Sequence, residues 1–97
     1  MRNEVIEFSR IMDDIITYNT IEKGKGEWEN YDFNFFIEKL VEEYAEVICS
    51  FRDYNRGKIK IDMVKSELVD LANICMMLHT KLNNKGEINE KENTNKH

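Results

Sequence analysis

No proline occurs anywhere in the 97 residues, and glycine occurs only four times. Proline is the residue that most reliably stops a helix, and glycine the one that most often marks a turn, so long helical runs meet few obstacles here. A β-sandwich or barrel needs a turn roughly every 8–12 residues, and this chain lacks the turn residues to supply them. Hydrophobic residues make up 41% and charged residues 34% of the chain, a balance that suits a folded helical domain and not a disordered segment. The length fits a single domain with a modest core.

Apolar spacing predicts three helices. The first covers roughly residues 3–19, where Val5, Phe8, Met12, Ile15 and Ile16 recur on one face, Asn3 stands as N-cap and Glu4 and Glu7 occupy the first turn. A loop carrying Gly24 and Gly26 follows. The second begins at Asp32 or Asn34 and runs to about Tyr54. Its apolar set (Phe36, Ile37, Leu40, Val41, Tyr44, Ala45, Val47, Ile48 and Phe51) spans close to half the circumference, more than one neighbour can cover. Gly57 sits where a helix C-terminus favours glycine. The third runs from Asp62, an expected N-cap, to Leu82 or Asn84, with Val64, Leu68, Leu71, Cys75, Leu78 and Leu82 as its stripe. The expected fold is therefore an all-α bundle of three main helices over residues 1–84, completed by oligomerisation, with 85–97 a disordered polar tail. Three lysines and three glutamates in that tail cancel, which leaves the net charge of −5 on the helical part.

The excess of 19 acidic over 14 basic residues speaks against a broad basic face for nucleic acid. No apolar run approaches the ~20 residues of a membrane span, and the N-terminus lacks the layout of a signal peptide. Cys49 and Cys75 lie within apolar helical patterns and read as small buried hydrophobes, so the expected compartment is the reducing cytoplasm.

Most charges project onto polar faces; Glu67 does not. With the third stripe centred near Val64 and Leu82, Glu67 falls only about 60° from that centre, among Met63, Val64, Leu71 and Ile74. An ionised carboxylate there is costly unless a cation accompanies it. Asp70 follows on the same side, at the edge of the stripe, and two acids at i, i+3 repel. Glu42-Glu43-Tyr44-Ala45-Glu46 repeats the device, with Glu43 and Glu46 at i, i+3 beside the apolar arc. Antiparallel pairing of the two helices would gather four carboxylates. Hard oxygen donors without Cys or His suit Mg²⁺, with Mn²⁺ as substitute, and not zinc. Solvated acids on a glutamate-rich bundle are the plainer alternative. His79 has no second acid–histidine pair to make a di-iron site.

These two motifs, E-E-x-x-E at 42–46 and Glu67-Leu68-Val69-Asp70-Leu71-Ala72-Asn73, resemble the MazG family within the all-α nucleoside triphosphate pyrophosphohydrolases, over roughly residues 5–82. The resemblance implies a helical homodimer or homotetramer that hydrolyses a nucleoside triphosphate to the monophosphate and pyrophosphate. It implies Mg²⁺ ligation by Glu43, Glu46, Glu67 and Asp70. Glu42 would be a further ligand, a support for one, or the base that takes a proton from water, although its projection fits plain solvation as well. Trp28, in a Gly-Glu-Trp loop, is similar to an aromatic that many members place near the base, or else caps the bundle. Lys39 would contact a phosphate or pair with Glu42 or Glu43. Asn73 would hydrogen-bond a sugar or base, or be merely solvated. One turn after Asp70, where dCTP-selective relatives carry a tyrosine, this chain has Ile74. The alternative from another class is a non-catalytic dimerisation or regulatory module with the same fold.

Overall fold

The computed structural model describes residues 1–83 with their side chains; the polar tail expected at 85–97 falls outside them. The chain is all-helical, with three main helices and no strand among the described residues. They are α1 (Asn3–Thr17), α2 (Phe33–Asn55) and α3 (Ile61–Lys96). A π-helical turn (Tyr18–Glu22) extends α1, and a 3-10 turn (Trp28–Asn30) precedes α2.

Local chemistry explains the boundaries. Asp32 caps α2, its Oδ1 accepting from the Phe35 N–H at 2.8 Å. The C-terminus of α2 closes as a Schellman motif: Lys58 N–H donates to the Asp53 carbonyl at 2.8 Å and Gly57 N–H to that of Tyr54 at 3.0 Å. Gly57, at φ 72°, holds the left-handed conformation this needs. Two expected caps shift, by one residue at α1 and by two at α3. Arg2, without a side-chain cap bond, occupies the N-cap of α1, where the Ile6 N–H reaches its carbonyl at 3.1 Å. Asp62 lies in the first turn of α3, where it still favours the helix dipole.

α2 and α3 form the main hairpin, and α1 packs on α3. Glu46 meets Glu67, whereas Phe36, near the start of α2, meets Met77 and Leu78, further along α3. The two helices are therefore antiparallel. Phe36, Met77 and Leu78 form the buried cluster, surrounded by half-buried Ile16, Trp28, Tyr31, Phe35, Leu40 and Ile74. Phe36 is the hub, 2% exposed, with the rings of Trp28, Tyr31 and Phe35 set edge-on to it at 5.2–6.4 Å.

The expected stripe of α3 packs in part: Val64 and Leu78 are buried and Leu71 half-buried, whereas Leu68, Cys75 and Leu82 are exposed. Val69, Asn73 and Met77 are buried besides, so that the covered face extends around the helix past Asp70, about 120° from the Val64–Leu82 line. Both cysteines are exposed, against their expected burial. On α2, Phe36, Val47 and Ser50 point inward, and Ile37, Val41, Tyr44 and Phe51 remain exposed. No described helix is long and apolar enough to cross a membrane.

Candidate metal centre

Glu43 and Glu46, one turn apart on α2, meet Glu67 from α3 across the hairpin. Each offers one carboxylate oxygen to a group whose members all lie within 4.8 Å of one another. The i, i+3 spacing puts the first two on one side of their helix, and the antiparallel register supplies the third. Oε2 of both Glu43 and Glu67 is buried without a hydrogen-bond partner. Like charges about 5 Å apart near a protein surface repel by roughly 3 kcal/mol. No ion pair among the described residues relieves that repulsion, since the only one joins Lys39 and Glu42.

Burial and mutual repulsion disfavour the charged forms of Glu43, Glu67 and Asp70. Burial, then the charges of Glu46 and Asp70, push Glu43 up to about 7. Glu67 is raised by burial and by Glu46. Asp70 is raised by burial and by Glu46, against the pull of Lys23 and Lys25. Asp70 stands beside the trio without belonging to its tight group, and it faces an adjoining cavity. Glu42 is turned to the exposed side and accepts from Lys39 Nζ at 3.0 Å.

The cavity has a volume of about 340 Å³ and lies between the π-helical turn, the start of α2 and the middle of α3. Its wall is of two kinds. Ile15, Ile16, Trp28, Tyr31, Phe35, Phe36, Ile74 and Met77 make an apolar, largely aromatic part; Glu43, Asp70, Lys23, Lys25 and Lys39 make a charged part. Trp28 and Asn73, both singled out by sequence, reach this wall, as does Lys39, which also lies 5.8 Å from the Phe35 ring. Sequence reasoning treated Lys23-Gly24-Lys25-Gly26 only as a loop. Its two cations come to the cavity because Gly24 and Gly26 take φ of 64° and 75° and because the Tyr31 hydroxyl donates to the Lys25 carbonyl at 2.6 Å. A Lys-Gly-Lys-Gly run in an acidic chain was the available signal. The cavity thus joins two carboxyls, one of them from the trio, to a basic loop and an apolar chamber.

No family model, curated protein or solved structure matches this chain.

Proposed function

We propose that this chain is a Mg²⁺-dependent nucleoside triphosphate pyrophosphohydrolase, a hydrolase acting on a phosphoric anhydride. The observation that carries the reading is the trio of Glu43, Glu46 and Glu67, with two buried carboxylate oxygens lacking any partner, opening beside a cavity that pairs lysines with aromatic rings. The all-oxygen donor set, to which no described residue makes an ion pair, fits a hard divalent ion, Mg²⁺ with Mn²⁺ as substitute. Such an ion supplies neutralisation of the polyphosphate charge and polarisation of an attacking water.

The chain's own residues then have separable tasks. Glu43, Glu46 and Glu67 hold the cation, and Asp70 extends the acidic wall toward the phosphates. Lys23 and Lys25 bind phosphate oxygens. Lys39 is held by Glu42 in an exposed pair of the kind worth about 0–1 kcal/mol, so a phosphate can draw it away at little cost. Trp28, Tyr31 and Phe35 enclose the base and keep water from that end. Water adds to phosphorus as the α–β anhydride bond breaks, giving the nucleoside monophosphate and pyrophosphate.

We further propose that the active form is a homodimer or homotetramer in the cytoplasm, acting on free nucleotides and not on nucleic acid or at membranes. The support is the unpartnered apolar half of α2, including Val41 at 66% exposure, together with exposed Val5, Phe8 and Ile11 on α1.

Incubation with Mg²⁺ and a panel of ribo- and deoxynucleoside triphosphates, with chromatography of the products, tests the activity. Monophosphate and pyrophosphate should appear with the wild type, and Glu67→Gln should lower the rate at least about a hundredfold. Equal turnover by Glu67→Gln, or none by the wild type with either Mg²⁺ or Mn²⁺, would contradict the reading. The second outcome would favour the non-catalytic helical module.

A further inference from the structure

We infer that Asn73 is the specificity-determining residue at the nucleoside end of the cavity: it presents a fixed hydrogen-bond acceptor and so selects nucleotides that carry an N–H or O–H donor at that point. The inference rests on the reading of the cavity as a nucleotide site.

Asn73 lies on α3, one turn beyond Asp70, and is 4% exposed. Its Nδ2 donates to the Met12 carbonyl of α1 at 3.2 Å. A carbonyl only accepts, so turning the carboxamide over would set two oxygens against each other. The partner's chemistry therefore settles which end of the amide faces the ligand. Oδ1 is buried, has no hydrogen-bond partner, and belongs to a residue lining the cavity. The same cavity wall carries apolar Ile15, Ile16, Ile74 and Met77 and polar Thr20 and Ser66. None of the described side chains donates to Oδ1. A ligand donor that reaches this oxygen supplies the hydrogen bond that the free protein leaves unmade. A site built to bond a donor rejects the analogue that lacks it more strongly than an apolar pocket rejects a missing methylene.

A sugar hydroxyl, an exocyclic amino group and a ring imino N–H all supply this chemistry, and paired substrates separate them. With Mg²⁺ and the full chain, kcat/KM is measured for ribo- against 2′-deoxynucleotides and for 3′-hydroxyl against 3′-deoxy forms. Amino bases are compared with the same bases lacking the amino group, and uridine with 3-methyluridine triphosphate. One of these deletions should lower kcat/KM by about tenfold or more in the wild type, and Asn73→Ala should abolish that ratio. The ratio within a pair is the decisive readout, because loosening of α1 after loss of the Met12 contact would weaken both members alike. If Asn73→Ala does not fold, Asn73→Leu, which keeps the side-chain volume but has no acceptor, gives the same comparison. Turnover that ignores every single-donor deletion, or a ratio that survives in the Asn73 variant, overturns this inference alone. If no nucleotide is hydrolysed and none shifts the melting temperature with Mg²⁺, the nucleotide reading falls and this inference falls with it.

Discussion

Glu43 takes its character from where the hairpin puts it. Its carboxyl, ordinarily near 4.5, is pushed up to about 7 by burial and by the charges of Glu46 and Asp70. Below about 4.5 the group is protonated in the folded and the unfolded chain alike. Between there and about 7 the folded protein keeps a proton that the unfolded chain releases, so stability falls as pH rises through that window. The raised Glu67 and Asp70 carboxyls act in the same direction. Metal-free protein should therefore melt at a higher temperature near pH 5.5 than near pH 8, and thermal unfolding across that range checks it. A melting temperature that rises toward pH 8 would contradict the carboxyl cluster. Because cation binding must displace those protons, Mg²⁺ should bind more tightly as pH rises over the same interval. Glu67→Gln removes one buried charge from the trio and should raise the melting temperature of the metal-free protein at pH 8 by a few degrees. Lys25 lines the cavity beside the trio. Lys25→Ala should weaken nucleotide binding by about tenfold while leaving the melting temperature within about 2 °C, since its ammonium makes no ion pair and only its backbone is bonded.

At the scale of elements, α1, α2 and α3 were legible because helix periodicity is local and no proline breaks it. The acid pairs were legible for the same reason: residues three apart share a face wherever the helix goes. The covered side of α3 was legible only in part. Apolar residues mark every surface that avoids water, including one left for another chain, and periodicity does not say which neighbour covers which side. Val64 and Leu78 of the stripe are buried, yet Leu68, Cys75 and Leu82 are exposed, whereas Asp70, placed at the edge, lies within the packed face. The Lys23–Lys25 loop was illegible as part of a site because a tertiary bond from Tyr31 sets its path. Asn73 was singled out by its place after Asp70, but the polarity of its amide depends on Met12, distant in sequence. The exposed half of α2 carries its own expectation. Val41→Lys should leave helical content unchanged, as the side chain is already 66% exposed, and should shift the sedimentation coefficient from oligomer to monomer. A wild type that sediments as a folded monomer at low micromolar concentration would contradict assembly through that face.

For the whole molecule, the small size of the domain sharpens the meaning of its polar interior. Beyond the cluster of Phe36, Met77 and Leu78, few apolar side chains are fully buried, yet three glutamates converge and two of their oxygens are buried without partners. A domain with so modest a core has little stability to spend on uncompensated acids. A divalent ion that binds the folded chain offsets that cost and stabilises in proportion to its concentration over its dissociation constant. The decisive measurement is Mn²⁺ binding followed by electron paramagnetic resonance at pH 8, on the wild type and on the double variant Glu43→Gln, Glu67→Gln. The wild type should bind Mn²⁺ saturably, in competition with Mg²⁺, and the double variant should lose that binding while remaining folded. Identical, non-saturating uptake by the two proteins would show that the three carboxylates are not a cation site.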